Sequence, residues 1–181
     1  MAKAIDVAKF FIELVNNNPN EDLMTNLRLN KLLYFAQAAS FKKLGYALID
    51  ESFEAWQFGP VLPEVYERYK HFGRNGIQSE PFDRSKLSRK EQLYLIDVLR
   101  TYNTISTSAL VKMSHESDGP WRKTYKINTH KIIDNEIIED YFKDKDIVED
   151  FKPLFANSQF VGHRDTADDV LVLPKDMDYA E

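Results

Sequence analysis

Read as a string of apolar and polar positions, the chain is helical for most of its length and changes period once. Val7, Ala8, Phe11, Leu14 and Val15 recur at three- and four-residue steps and predict an amphipathic helix over residues 4–16. The Asn- and Pro-rich run at 16–20 breaks it. Residues 25–44 form a second, strongly apolar helix, with Thr25 or Asn26 as its N-cap and Gly45 just past its end. Phe53, Ala55 and Gln57 then alternate with Glu54, Trp56 and Phe58, the period of a short strand, which Gly59 breaks. Pro60 is expected at the first helical position and Pro63 within the first turn. Val61, Val65, Tyr66, Tyr69 and Phe72 continue at helical spacing to Gly73. Residues 46–49 and 52–57 are expected to pair as a small hairpin across Asp50 and Glu51, although that turn contains neither Gly nor Asn.

Residues 74–86 are polar and read as a loop. Ser88 and Glu91 have capping-box spacing, so a fourth helix should run through Leu93, Ile96, Leu99 and Tyr102. Ser106 or Thr107 caps a fifth with Leu110, Val111 and Met113. Asp118-Gly-Pro120 is a turn, and a short helical turn carries Trp121 and Tyr125. Asp134 is expected to cap a last long helix with Ile137, Ile138, Tyr141 and Phe142 inward, and residues 146–151 read as a further short turn. After Phe155 the periodicity is lost, and residues 170–173 read as an added edge strand or a docking peptide. The expectation is a mainly α fold. A single helical domain over residues 1–153 carries a small antiparallel β-hairpin, and a variable acidic C-terminal tail follows at 154–181.

Composition narrows the chemistry. At 181 residues, 43% hydrophobic and 13% aromatic, the chain suits one domain with a real core. It has no cysteine, hence no disulfide framework or thiolate nucleophile, which fits a reducing cytoplasm. Asp6 and Glu13 interrupt any secretory pattern, and no uncharged apolar run is long enough to span a bilayer, so a soluble cytoplasmic protein is expected, with no membrane partner. A net charge of −5 weighs against nucleic acid as a partner and suits steering towards a basic protein. His71, His115, His130 and His163 lack metal-ligand spacing, and no nucleophile elbow or phosphate-binding loop is present. His163-Arg-Asp165 lacks the asparagine of the kinase loop. Glu64 and Arg68 read as a surface i, i+4 pair. No enzyme chemistry and no cofactor are therefore expected.

The informative residues are aromatic. Trp56 and Phe58 should share one strand face, and with Tyr66 they either pin the corner onto the helices or line a groove; both outcomes are compatible. His115 and Trp121 flank a polar turn. They are either a recognition pair or a helix-closing histidine beside a core tryptophan.

Two motifs carry a family resemblance. The run Leu-Asn-Lys-Leu-Leu-Tyr-Phe-Ala-Gln at 29–37 is followed by Glu-Ala-Trp-Gln-Phe-Gly-Pro-Val at 54–61 and a helix carrying Tyr66 and Tyr69. With a weaker block at 110–121, this resembles the Panacea domain over roughly the first three quarters of the chain. That family includes SocA-like antitoxins and many proteins labelled only as phage-associated. The resemblance implies an antitoxin that neutralises a cognate toxin by direct binding, and in SocA-like members delivery of the toxin to an ATP-dependent protease. The residues it singles out for partner binding or for the family motif are Lys31, Tyr34, Gln37, Trp56, Phe58, Gly59, Pro60, Tyr66, His115 and Trp121. The competing readings are a hydrolase or nucleotide-modifying enzyme built around His115 and nearby carboxylates, and a transcriptional regulator of its own operon. The regulator lacks a helix-turn-helix with a basic recognition helix.

Overall fold

A single helix, Asn26–Leu44 (α2), forms the axis of the molecule and is buried along nearly its whole length. The computed structural model describes residues 1–17, 24–78, 80–145, 163–165 and 170–172. Thr25 caps α2 by accepting from the Arg28 N–H, and Gly45 ends it in the left-handed conformation at φ 84°. Around it pack Ala4–Asn16 (α1), Pro63–Tyr69 (α3), Arg89–Tyr102 (α4), Thr107–Ser114 (α5) and Asn135–Phe142 (α7), with Pro120–Thr124 (α6) set against α7. The fold is mainly α with a minor β element. No helix among the described residues is long and apolar enough to cross a membrane.

Polar residues inside α2 hold its neighbours in place. Arg28 is buried and donates to the backbone carbonyls of Ile105, Tyr102 and Asn103, clamping the turn between α4 and α5. Gln37 accepts from the Ile49 N–H at 2.8 Å and donates to Asn135 Oδ1 at 3.0 Å, tying α2 to the start of α7. The Ser88–Glu91 capping box forms as its spacing predicts, and Ser106 caps α5.

The β element departs from the expected hairpin. Phe53–Trp56 (β1) pairs antiparallel with Gly59–Val61 (β2) on one side and Lys131–Ile133 (β3) on the other, in the order β2-β1-β3. Residues 46–49 do not pair with β1; Ile49 instead forms a parallel bridge to Ala2. Gly59 therefore opens a return strand rather than ending the β element. Pro63, not Pro60, takes the first helical position. Phe58 lies in the turn, so it does not share a strand face with Trp56. The last helix among the described residues, α7, is short, and Asp134 makes no side-chain cap; Ile138 and Phe142 are its buried residues. In α4, Leu93 is exposed, and Tyr94, Leu95 and Val98 take the inward places beside Leu99 and Tyr102. Arg68 binds Glu80 rather than Glu64, and Tyr69 Oη joins the same carboxylate. Hydrogen bonding from Arg68 holds that carboxyl down at about 2.

In the tail, Val170–Val172 (β5) pairs antiparallel with His163–Asp165 (β4) as a separate two-stranded ladder, not as an edge of the main sheet. The turn expected at 146–151 lies outside the described residues.

Candidate functional site

The register of the sheet determines what surrounds the corner. Antiparallel ladders alternate between residues that exchange hydrogen bonds and residues that turn their N–H and C=O away. Ala55 faces Pro60, which has no N–H, so the bonded pairs with β2 are Glu54–Val61 and Trp56–Gly59. The Pro60 carbonyl thus points away from β1 and into α2. Lys31 meets it there: its Nζ donates to the Pro60 oxygen at 2.9 Å. One residue earlier on α2, Asn30 Oδ1 accepts the Leu62 N–H at 2.9 Å. Asn26 reaches the Tyr66 carbonyl at 3.1 Å. Three polar side chains of one helix therefore close the β2 edge and fix the entry into α3.

Lys31 is completely buried, and desolvation lowers its pKa to about 7. The space beside it suits glycine alone. Gly59 has φ 101°, and a Cβ there would lie 2.8 Å from Lys31 Nζ and 2.7 Å from Ser114 Oγ. Ser114 ends α5 and donates to the Val111 carbonyl at 2.7 Å. His115 follows it. Nδ1 lies 2.6 Å from the same carbonyl, and Nε2 lies 3.3 Å from the Gln57 carbonyl. Burial, more than the nearby Lys31 and Arg122 charges, lowers the His115 pKa, against the backbone hydrogen bonds to Val111 and Gln57 that raise it.

Aromatic rings form two tiers. In the inner tier the His115 ring lies 3.8 Å from the buried Trp121, which stacks on Tyr125 at 4.6 Å and donates its indole N–H to the Trp56 carbonyl at 2.8 Å. In the outer tier the half-buried Trp56 stacks on His130 at 4.4 Å and meets Tyr66 edge-on at 4.8 Å. Its indole N–H donates to Glu54 Oε2 at 2.8 Å, which fixes the ring. Phe58 is half-buried beside them.

The ten candidates thus divide by depth. Lys31, Gly59, Pro60, His115 and Trp121 converge behind the corner, and Trp56, Phe58 and Tyr66 lie at its surface. Tyr34 and Gln37 lie elsewhere along α2. Tyr34 is buried edge-on to Phe35, Phe53 and Phe142, and its Oη is the one buried side-chain polar atom without a partner among the described residues. For His115 and Trp121 the helix-closing histidine and the core tryptophan both hold, and the two rings also touch. The sequence pattern offers Asn26 only as an alternative N-cap and does not mark Arg28 or Asn30. Their signal was three polar residues at two-residue steps within the start of a deeply apolar helix, where each buried polar group needs a partner. His130 belongs beside Trp56, with Glu54 Oε2 4.0 Å from its Nδ1.

Elsewhere among the described residues there is little convergent chemistry. A cavity of about 360 Å³ between α2, α4 and α7 is lined by Lys42, Lys43 and Lys145 with Tyr94, Tyr102 and Phe142, and contains no histidine. Among the described residues no group of three His, Asp or Glu side chains is placed to hold a metal ion.

The family model described as "Antitoxin SocA-like, Panacea domain" matches residues 29–122. This is narrower than the three quarters suggested by the motifs, yet it contains all ten candidates. Antitoxin SocA of Caulobacter vibrioides (strain NA1000 / CB15N) is 37% identical over 109 residues, covering 54% of this chain and 58% of that protein. The chain thus matches little more than half the length of this curated relative. No solved structure matches the chain.

Proposed function

This chain belongs to the SocA-like Panacea-domain family, and from that premise we propose that it is an antitoxin that neutralises a cognate protein toxin by binding it through the β1–β2 corner. The observation that carries the reading is the outer aromatic tier. Trp56, Tyr66 and His130 meet the surface as one packed unit, His130 stacked on Trp56 and Tyr66 edge-on to it. The frame behind them is hydrogen-bonded through Lys31, Asn30, Ser114 and Trp121. Rigid aromatics on a fixed frame lose little entropy on docking, which is why such residues dominate interface energetics. Neutralisation then needs only that roughly 1,200–2,000 Å² of complementary surface cover or distort the toxin's active site.

Co-expression with the product of the adjacent gene tests this. The chain should rescue growth and co-purify with that product. Trp56→Ala should keep the wild-type circular dichroism spectrum and weaken the complex by about tenfold or more. A folded Trp56→Ala protein with wild-type affinity would remove the corner from the interface, and failure to bind or rescue any neighbouring product would end the antitoxin reading. Delivery of the bound toxin to an ATP-dependent protease is a further step of the same proposal. It requires the toxin's half-life to shorten when the antitoxin is present, and to lengthen again when the protease is deleted.

A further inference from the structure

The sheet has one closed edge and one open one. On β2, Pro60 offers no N–H, its carbonyl is taken by Lys31, and the next N–H, at Leu62, is taken by Asn30. The ladder alternation that turns Pro60 away from β1 makes Phe53–Ile133 and Ala55–Lys131 the bonded pairs on the other side. Ile132 is the odd residue between them, so its N–H and C=O point outward, away from β1. No described strand pairs with that edge. Natural sheets normally blunt or cover such an edge. On this edge Ile132 is 57% exposed beside the exposed Lys131, and Ile127, in the segment leading to it, is 77% exposed.

The segment that leads into β3 carries charge of one sign, with Asp134 and the carboxylates of α7 following it. From Pro120 to Ile133 the chain contains no Asp or Glu but carries Arg122, Lys123, Lys126 and Lys131, all exposed. None of the four forms an ion pair with another described residue; Lys123 lies over the Tyr141 ring. Glu54, the carboxylate opposite Ile132, is occupied by the Trp56 indole and His130. This strip and β3 both extend past residue 122, where the family match ends.

We propose that β3 is a docking edge that accepts an extended, acidic segment of the partner protein as a fourth strand. The incoming backbone pairs with Ile132, its apolar side chains lie beside Ile132 and Ile127, and its carboxylates meet the Lys126 and Lys131 ammonium groups. The proposal rests on the antitoxin reading for its partner. It assigns partner choice to a segment outside the family-matched stretch, next to the Trp56 corner inside it.

The test uses the full chain and two variants. Ile132→Pro removes only an outward N–H, the device that Pro60 already provides on β2. Lys126→Glu combined with Lys131→Glu keeps the backbone and reverses the charge. Both should melt like the wild type. The probe is a fluorescein-labelled peptide of about eight residues alternating Val and Glu, long enough to pair along a strand, with an alternating Val and Lys peptide as control. Fluorescence anisotropy should show the acidic probe binding at least about tenfold tighter than the basic one, and each variant losing at least about tenfold. Equal binding of the two probes, no binding, or full binding by both variants overturns the proposal. Rescue of growth from the toxicity of the neighbouring gene product separates it from the antitoxin reading. If wild type and both variants rescue and bind equally, the edge is wrong and the antitoxin stands. If the wild type rescues nothing, the antitoxin reading falls and the peptide measurement alone decides the edge.

Discussion

Lys31 is where single-residue chemistry matters most. An ordinary lysine titrates near 10.5; burial brings this one to about 7. Between those values the unfolded chain holds a proton that the native chain has released. Stability therefore rises as pH rises from 7 towards 10.5. The increment from pH 7 to 9 is about 2 kcal/mol for one such group. The tyrosines whose pKa burial raises, Tyr69 and Tyr94 among them, act in the opposite direction only near pH 10 and above, so urea denaturation between pH 7 and 9 isolates the lysine. Wild type should gain stability across that range, and Lys31→Met should lose most of the gain. At pH 7 the methionine variant should cost less than Lys31→Ala, which leaves both a cavity and an unpaired Pro60 carbonyl. A slope unchanged by Lys31→Met would mean that the amine is solvated. The motif drew attention to Lys31, but its burial was not legible in the sequence. A lysine within an apolar helix reads as an outward-facing charge until the strand that receives it is known.

At the scale of elements, α2 acts as a strand cap as much as a helix. It takes the place of a further strand on β2, with Asn30 and Lys31 supplying the hydrogen bonds such a strand would have made. Asn30→Ala should therefore cost about 1–3 kcal/mol, because the buried Leu62 N–H is left without an acceptor. The loss is measurable as a lowered urea midpoint at unchanged m-value. A cost below about 0.5 kcal/mol, the size of an ordinary surface change, would mean that water reaches that edge. Helix limits were largely legible, because caps are local: Thr25, Ser88, Ser106 and Gly45 all act where spacing put them. The sheet was not. Residues 46–49 have strand-like composition, yet Ile49 is taken by Ala2 and Leu48 N–H by Ser40 Oγ. The partner of β1 on its other side, Lys131–Ile133, is three residues long and some eighty positions away. No local pattern encodes a pairing at that separation. The outer half of the candidate site was hidden for the same reason, since His130 reaches Trp56 only through that pairing.

Over the whole molecule, the net charge of −5 is spread unevenly along the chain. Residues 1–145 carry 21 basic and 20 acidic side chains, whereas residues 146–181 carry three basic and nine acidic. The excess negative charge that would steer a basic partner therefore lies in the tail. The exposed strip from Arg122 to Lys131 favours an acidic one. Excess negative charge on the same chain lowers the potential that would draw an acidic partner to that strip, and the penalty is long-ranged and screened by salt. Ending the chain after residue 153 removes six acidic and two basic residues. Association with an acidic partner should then speed up by a few-fold at about 20 mM salt, with the gain gone by about 0.5 M, where the Debye length falls below about 5 Å. The melting temperature should not change if residues 1–153 form the folding unit. Stopped-flow binding of the co-purified toxin by the two lengths of chain measures the first, and a thermal melt measures the second. Slower association on truncation would mean that the tail supplies contacts to the toxin. A lowered melting temperature would place part of the tail within the folded domain.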